Sequence, residues 1–434
     1  MYKRWIELGL EKGLEAVEIF ATKEKNLSLG LYKSKLDDYE ISDMHTVKLR
    51  GIYNGKYATV AVENLVDDNI DYYLDQLIEN AKTITVSEPA IIFEGSKEYA
   101  KLDETLFDFS QVPFEDKLNY IKDLEAGVDS CLEVTQVETT AYSETVFETN
   151  LVNSKGLNLK RNGSYAYGYA VGVFQREEDI KVNYEINIAH KFSDLNAVEQ
   201  AKKTVDNGVA KLGGKSIPSG KYPVVFSNEK FADLLAVYSS NFIGESAYKN
   251  LTKLKDKVGE KIANDKVSLI DDPLNDAATF RYSFDDQGVA CKTKKVVDKG
   301  IFTGFLHNLK TAKLFNVEPT GNAFKGISPI NFYLEPGLKT FDEVLAPIKY
   351  GVYINELASL HAGVNSISGD LNLQASGFLI KDGKIDHPIK MIVVSGNFFK
   401  ILEDVEEIAN DLKFTLSDFG SPTVSVGELV IAGD

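Results

Sequence analysis

Along the first half of the chain, stretches with helical periodicity alternate with runs of β-forming residues. Residues 2–13 predict a short amphipathic helix. Strand-like runs follow, and the dipeptide Asn54-Gly55 between two of them is typical of a hairpin turn. Residues 66–84 predict a helix with an acidic start. The pattern therefore predicts one helix–strands–helix module over about residues 1–95.

The same order of elements returns in the next part of the chain. Residues 114–130 predict a helix, and residues 132–175 predict strand after strand, with NSKG and RNG as turns. Residues 196–212 predict a closing helix. We interpret the first half as duplicated helix–strands–helix modules, about 1–95 and 114–213. Such a pair could form a rigid platform around a cleft, or two stacked modules without a site of their own.

The turn-rich sequence SIPSGKYP at 216–223 is the predicted domain boundary. It separates an N-terminal α+β domain, residues 1–218, from a C-terminal domain, residues 219–434. The second domain opens with FADLLAVYSSNFIG at 231–244, which has helical periodicity. A very polar segment at 248–262 also resembles a helix. The whole chain is therefore expected to have an α+β fold.

After about residue 266 the pattern becomes mostly that of strands. The strand-like runs are KVSLIDDP, ATFRYSFDDQG, KKVVDKGIFTGFLHN, INFYLEPG, YGVYINEL, GFLIKDGKIDHPIKMIVVSG and TVSVGELVIAG. One helix is predicted among them, at 397–411, with Ser395 or Asn397 as its N-cap. The C-terminal domain should therefore be rich in β-structure and carry few helices.

Composition and charge exclude several classes of protein. Of the 434 residues, 44% are hydrophobic and 26% charged, which is an ordinary globular balance. A formal net charge of -17 argues against nucleic acid as a direct partner, because phosphate binding requires a basic face. Cys131 and Cys291 form no CxxC or disulfide framework. The N-terminus does not have the pattern of a signal peptide, and no apolar run approaches a membrane span. A cytoplasmic protein is expected.

Residue patterns alone do not define a catalytic site. None of the five histidines lies within a turn or two of another along the chain: His45, His190, His307, His361 and His387. A distant trio such as His307, His361 and His387 could still converge on a metal. The sequence has no GxSxG elbow, and a passive thiol is favoured for Cys291. The glycine-containing stretches 321–329 and 363–370 lack the P-loop lysine and are expected to be loops.

A series of phrases in the second half nevertheless resembles one known family. The phrases are FRYSFDDQGV (280–289), KGIFTGFLHN (299–308), PTGNAFKG (319–326), SPINFYLEPG (328–337), GVNSISGDLNLQASGFLIKDGKIDHPIKMIVVSGN (363–397) and SPTVSVGELVIAG (421–433). Their order and spacing are similar to those of the TldD/PmbA family, also called modulator of DNA gyrase. The resemblance extends over nearly the whole chain and includes the helix–strands–helix pattern of the first half.

The resemblance implies a cytosolic metalloprotease system. TldD-type members carry HExxxH on a helix just past the middle of the chain and a cysteine near the C-terminus as the third zinc ligand. PmbA-type members, also called TldE, lack these ligands and pair with a TldD-type chain. The pair is associated with peptide maturation and with degradation of small unfolded proteins.

On this chain, the resemblance places the HExxxH positions at 236–241. Ala236 and Asn241 stand at the histidine positions and Val237 at the glutamate position, and residues 412–423 contain no cysteine. The chain therefore resembles a PmbA/TldE-type subunit without a catalytic residue or a metal of its own. Zinc is expected in a TldD-type partner, and extended peptides are the expected substrates. The alternative is a homodimeric peptide-binding protein without proteolytic activity.

Overall fold

The computed structural model of the chain describes residues 1–63, 69–86, 88–102 and 106–433. These residues divide into two compact units. Unit 1 contains the described residues of 1–212 except 98–102, together with 286–288, and unit 2 contains 98–102, 213–285 and 289–433. Helices and strands mix in both units, and the C-terminal region is poor in helix and rich in strand. The expected α+β fold class is confirmed.

Unit 1 consists of one large sheet and four helices. Its helices are α1 (Tyr2–Glu11), α2 (Ile70–Thr83), α3 (Phe114–Asp129) and α4 (Ala197–Ala210). Its strands are β1 (Ala16–Tyr32), β2 (Lys35–Tyr53), β3 (Lys56–Glu63), β4 (Val134–Asn153), β5 (Asn158–Arg176), β6 (Asp179–Asn183) and β7 (Asn187–Ala189). The order helix, three strands, helix occurs first over α1 to α2. It occurs again over α3 to α4, with the short β7 added. That the two halves are duplicates remains a prediction.

The strands of unit 1 form one antiparallel sheet in the order β3-β2-β1-β4-β5-β6, and β7 also pairs with β5. Successive side chains of a strand point to opposite faces. Odd-numbered residues of β1, such as Ile19 and Leu29, are buried in the cores that α2 and α3 close with Leu74 and Leu124. The helices therefore cover one face of the sheet. We call the other face, which carries the even-numbered residues of β1 up to Gly30, the open face.

Part of the open face is covered by loops of unit 1 itself. Ile92 packs against Ala16 and Ile52. Asp286 accepts a hydrogen bond from Arg50 through its backbone oxygen and pairs with Arg161 through its carboxylate, at 2.7 Å. Farther along the strands, most residues of the open face are half-buried or exposed, whereas Thr145 and Thr149 of β4 are buried.

The turns predicted in unit 1 have different outcomes. Asn54 and Gly55 both have positive φ, 48° and 69°, and join β2 to β3, so the predicted hairpin is confirmed. The predicted turn at RNG is wrong, because these residues lie inside β5. Gly163 pairs with Phe147, and a Cβ built on Gly163 would lie 2.7 Å from the Phe147 ring. This glycine makes room for an aromatic ring within a continuous strand.

The helices predicted in unit 1 are confirmed, with shorter ends. α1 ends at Glu11, and Gly13 follows it with a φ of 95°. The helix predicted from residue 66 is observed from Ile70, and residues 66–68 lie outside the described part of the chain. Asn196 caps α4 by accepting a hydrogen bond from the backbone N–H of Glu199 at 3.1 Å.

Unit 2 contains five short helices and twelve strands within its described residues. Its helices are α5 (Asn228–Tyr238), α6 (Gly244–Tyr248), α7 (Leu309–Phe315), α8 (Phe341–Leu345) and α9 (Phe398–Glu403). Its strands are β8 (Gly220–Phe226), β9 (Leu269–Asp271), β10 (Lys294–Asp298), β11 (Ile301–Phe302), β12 (Phe332–Leu334), β13 (Tyr350–Ala358), β14 (Asp370–Lys381), β15 (Lys384–Asn397), β16 (Val405–Ile408), β17 (Lys413–Phe414), β18 (Phe419–Ser421) and β19 (Val424–Ala432).

The strands of unit 2 form two sheets. The first has the order β11-β10-β9-β12-β18-β17. The second has the order β15-β14-β13-β8-β19-β16, and β15 also pairs with β19. Strands β8, β13, β14, β15 and β19 therefore form a closed ring, which leaves none of these five strands as a free edge. The main core of the unit joins both sheets and includes Phe231, Leu235 and Phe332.

Three predictions in unit 2 are wrong. Only α6 is helical near 248–262, because Asn250 adopts a φ of 59° directly after it and the segment continues as turns. Residues 278–288 form no strand and make only one isolated bridge, between Phe284 and Ala290. The helix predicted over 397–411 ends at Glu403, and β16 follows because its residues pair with β19.

The N-cap predicted for that helix is confirmed at Asn397, whose side chain accepts hydrogen bonds from the backbone N–H groups of Phe399 and Lys400. The stretches 321–329 and 363–370 are loops, as predicted, with turns and bends. Of the helices formed by the described residues, none has the length and apolar character that crossing a bilayer requires.

Candidate functional site

The helix α5 begins directly after β8, a central strand of the second sheet. Ser227 separates the two elements, and its hydroxyl accepts a hydrogen bond from the backbone N–H of Lys230 at 3.3 Å. Leu234 and Leu235 are completely buried in the core. The apolar periodicity that predicts this helix therefore fixes it on the sheet, and its last turn carries the positions singled out in the sequence.

These positions fall where the α-helix changes into a tighter turn. α5 ends at Tyr238, before the end predicted from the sequence, and residues 239–242 form a 3₁₀ turn. Ala236 is half-buried in the last turn of α5, and Val237 packs against the main core of the unit. Asn241 lies in the 3₁₀ turn and is completely buried.

The side chain of Asn241 connects its own turn to a neighbouring loop. Its Nδ2 donates to the backbone oxygen of Tyr238 at 3.0 Å and to that of Ser366 at 2.8 Å. Its backbone oxygen accepts a hydrogen bond from Thr252 Oγ1 at 3.1 Å. Its Oδ1 is buried without a hydrogen-bond partner among the described residues. The amide therefore holds the loop 363–370 against the end of α5.

Tyr238 makes a second connection to the same loop. Its hydroxyl donates to the backbone oxygen of Asp370 at 2.9 Å, and its ring stacks on Phe398 with centroids 4.4 Å apart. Burial raises the pKa of this phenol, so it remains protonated at neutral pH. The Asp370 carboxylate accepts hydrogen bonds from Ser368 Oγ at 2.6 Å and from Asn397 Nδ2 at 2.9 Å, and its pKa is lowered by them. The loop 363–370 is therefore held by Tyr238 of α5 and by Asn397 at the end of β15.

The C-terminal stretch 412–423 lies beside the start of α5. Asn228 Nδ2 donates to the backbone oxygen of Asp411 at 3.1 Å, and Lys413 pairs with Glu229. The Asp411 carboxylate in turn accepts from the backbone N–H and the hydroxyl of Thr423, both at 2.7 Å. Helix and C-terminal stretch are therefore neighbours, although neither supplies a histidine or a cysteine here.

The donor atoms at these positions do not fit a zinc ion. Zinc in proteins is bound by imidazole nitrogen, thiolate sulfur or carboxylate oxygen. The side chains of Ala236 and Val237 have no lone pair, and Asn241 offers only the oxygen of a neutral amide, a poor zinc ligand, while its Nδ2 donates to two backbone oxygens. More broadly, the part of the chain that the structure describes holds no group of three His, Cys, Asp or Glu side chains able to bind a metal ion.

The histidines considered for an alternative metal site have other surroundings. His307 is buried, its Nδ1 lies 3.1 Å from Thr311 Oγ1, and burial lowers its pKa to about 4. His387 Nδ1 lies 2.5 Å from the carboxylate of Asp386, and His361 is exposed. These three histidines do not form a metal-binding group.

Comparisons with known proteins decide the family. The model of the PmbA/TldA metallopeptidase C-terminal domain matches residues 219–433, and the model of the central domain of the same family matches residues 107–212. The chain belongs to the PmbA/TldD family. The resemblance predicted from the sequence is therefore confirmed.

Individual relatives cover most or all of this PmbA/TldD chain. It is 31% identical to a candidate modulator of a DNA gyrase from Thermotoga maritima, with 99% of each chain covered and a TM-score of 0.93. It is 26% identical to the metalloprotease PmbA of Escherichia coli O157:H7 over 71% of this chain and 68% of that protein. TldE from Thermococcus kodakarensis is 20% identical over the full length of both chains with a TM-score of 0.88, which shows the common fold.

In this PmbA/TldD chain, the phrase PTGNAFKG that carried the resemblance builds a buried polar cluster. Asn322 Nδ2 lies 3.1 and 3.0 Å from the two carboxylate oxygens of Asp271, and Lys294 Nζ lies 2.5 Å from the same carboxylate. The backbone N–H of Ala323 donates to the buried Asp285 carboxylate at 2.9 Å. Sequence reasoning recognised the phrase but missed this cluster, because its acidic members lie far away in the chain.

The C-terminal stretch of this PmbA/TldD chain contains a perturbed carboxyl group, that of Asp418. Burial, together with the nearby Asp271 carboxylate, raises its pKa from 3.8 to about 6. The folded chain therefore keeps a proton that the unfolded chain loses, and stability should fall as the pH rises from about 4 to about 6.

Replacing Asp418 with asparagine should remove this loss. The variant should be more stable than the original chain by about 3 kcal/mol at pH 7 and equally stable below about pH 4. The left-handed φ of 61° at this position suits asparagine. Hydrogen exchange of the β12–β18 pair, followed at both pH values, measures the effect. Asp256→Asn, at an exposed position, is the control. Equal gains at both pH values would contradict the assignment.

Proposed function

We propose that this chain is a non-catalytic, PmbA/TldE-type subunit of a two-chain metallopeptidase. The observation that carries the proposal is the side-chain set at the end of α5. By the resemblance to TldD-type members, Ala236 and Asn241 occupy the two histidine positions and Val237 the glutamate position. Alanine and valine offer zinc no lone pair, an asparagine amide is a poor zinc ligand, and none of the three side chains takes a proton from a water molecule.

The names of two relatives support this proposal. The Escherichia coli relative is named a metalloprotease, and the Thermococcus relative is named TldE. A chain of this family without histidine and glutamate at these positions would depend on another subunit for peptide-bond cleavage. We therefore propose a TldD-type chain as its partner in a heterodimer, and the cytoplasm, where the two free cysteines stay reduced, as its compartment.

In such a complex, zinc held by the partner would supply a polarised water molecule for cleavage. In this proposal, the surface formed by the end of α5 and the loop 363–370 would help to bind and orient the peptide. Tyr238 and Asn241 hold the loop 363–370 at the end of α5 through two hydrogen bonds to its backbone. The substrates expected for such a complex are extended peptides and small unfolded proteins, which could enter a chamber formed by the two subunits.

The test combines metal analysis with a peptidase assay. The purified chain alone should contain no stoichiometric zinc and should not cleave an unstructured peptide. Addition of an HExxxH-bearing relative should produce a stable complex in which cleavage is faster or differently placed than with that relative alone. The matched control is the same relative with its motif glutamate changed to glutamine, which should still form the complex but give no cleavage.

Two outcomes would overturn the proposal. Chelator-sensitive cleavage by this chain alone would show a metal site elsewhere. Failure to associate with the HExxxH-bearing relative, together with a stable homodimer that binds peptides, would favour the homodimeric peptide-binding protein instead.

A further inference from the structure

The open face of the unit 1 sheet has an ordered arrangement of side chains across four strands. The strand registers place residues of β5, β4, β1 and β2 in straight rows across this face. Three adjacent rows are Tyr169–Ala141–Gly30–Asp38, Tyr167–Ser143–Ser28–Glu40 and Tyr165–Thr145–Asn26–Ser42. Each row therefore begins with a tyrosine on β5 and crosses two strands of small or short polar residues. In two rows it ends with a carboxylate on β2.

This arrangement makes a shallow trough along the strands. Its floor on β4 and β1 is low, since these positions carry glycine, alanine, serine and other short side chains. One side is formed by Tyr165, Tyr167 and Tyr169, which we call the tyrosine row. The other side is formed by Asp38 and Glu40, which we call the acidic rim. Three strand spacings separate the two sides, about 14 Å, which is wide enough for an extended polypeptide and its side chains.

The tyrosine row continues into exposed apolar residues. Tyr169 lies near Tyr184, with ring centroids 6.3 Å apart. The register of β5 with β6 places Val182 beside Val173 on the same face. Tyr184 and Val182 are 53% and 47% exposed. A contiguous apolar surface of this kind is typical of a binding site.

The acidic rim carries charge that the described residues do not neutralise. Asp38 and Glu40 are exposed, and neither carboxylate forms an ion pair with a described residue. By contrast, Glu18 on the same face forms an ion pair with Arg50 at 2.9 Å. Because the chain as a whole has a net charge of -17, the rim should attract cations and repel acidic ligands or a second copy of this acidic face.

We propose that this open face binds extended polypeptide segments in which lysine or arginine residues accompany apolar residues. The cationic side chains would lie against the acidic rim, while the apolar side chains would pack on the tyrosine row and on Val182 and Tyr184 of β6 and its extension. The proposal deepens the proposed function, since it names the class of peptide that such a subunit would select.

The test is direct binding of a fluorescent peptide to the full chain without any partner. The probe is a short unstructured peptide that contains lysine, leucine and tyrosine, and its twin carries glutamate in place of every lysine. Fluorescence anisotropy should show saturable binding of the lysine peptide, weakened by added salt, and no binding of the glutamate twin.

Matched variants locate the site. Glu40→Lys should weaken binding of the lysine peptide about tenfold. Asp43→Lys makes the same charge change on the same strand but on the helix-covered face, and should leave the affinity unchanged. Tyr167→Ser should weaken binding about threefold, whereas Tyr72→Ser, on an exposed position of α2, should not.

Several results would overturn the proposal. They are equal binding of both peptides, equal effects of Glu40→Lys and Asp43→Lys, or a change of oligomeric state in Glu40→Lys, which would assign the face to a second copy. The assay involves neither zinc nor cleavage. Failure of the proposed function would therefore appear in the peptidase experiment and leave this binding intact, and failure here would leave the subunit assignment untouched.

Discussion

Replacing Lys117 with methionine should lower the free energy of unfolding of unit 1 by about 3–5 kcal/mol. Lys117 on α3 and Glu144 on β4 form an ion pair at 2.7 Å, and both side chains are almost fully buried. The hydroxyl of Tyr142 donates to the same carboxylate at 2.6 Å. Removal of the ammonium group would leave a buried carboxylate whose one remaining side-chain partner among the described residues is this hydroxyl, which is why the expected cost is large.

Trp5 makes this effect measurable, because it is the only tryptophan of the chain and is completely buried in unit 1. Urea unfolding followed by its fluorescence should show the transition of Lys117→Met at a much lower urea concentration. The exposed pair Lys160–Glu148 offers a control in the same sheet, and Lys160→Met should change little. The double variant Lys117→Met/Glu144→Gln should recover most of the loss. A double variant no more stable than Lys117→Met would contradict this explanation.

Replacing Asn322 with alanine should destabilise unit 2 by about 3 kcal/mol. The Asn322 amide donates to the Asp271 carboxylate and to the backbone oxygen of Ser328, and its Oδ1 accepts from Thr320 at 2.8 Å. Asp271 is completely buried, and Lys294 and the backbone N–H of Ile330 would then be its remaining partners among the described residues. The desolvated carboxylate oxygens would lose their amide partner.

Hydrogen exchange of β9 and β12 measures this loss, since Asp271 ends the first strand and accepts from the backbone N–H of Ile330 just before the second. Asn410→Ala, at an exposed position, is the matched control and should leave exchange unchanged. Asn322→Asp should be at least as harmful as Asn322→Ala, because it places a second carboxylate beside Asp271. A milder effect of Asn322→Asp would show that the amide only fills space.

Sequence patterns predicted those elements whose stability is local. The hairpin at Asn54-Gly55 follows from two residues that tolerate positive φ, and α3 follows from its own apolar periodicity. The predictions failed where distant residues decide the structure. Residues 405–408 are strand because β19 offers a pairing partner, and RNG is straight because Phe147 lies across from Gly163. Neither partner is visible in a local window of sequence.

At the candidate site too, some features depend on local sequence and others depend on distant residues. The lack of histidine and glutamate at 236–241 follows directly from the sequence once the family resemblance assigns these positions. The fixation of loop 363–370 by Asn241 and Tyr238 could not be predicted, because both hydrogen bonds end on backbone oxygens more than a hundred positions away. Backbone acceptors leave no signature in residue type.

The closed ring of strands in unit 2 has a consequence for synthesis of the chain. β19 pairs with β8 and with β15, so the ring cannot close before Val424–Ala432 has left the ribosome. The sheet of unit 1 is complete by Ala189. We therefore expect unit 1 to acquire its structure while unit 2 is still being translated. During that interval β8 would expose an apolar edge, and nascent chains of this protein should depend on chaperones until the last strand is added.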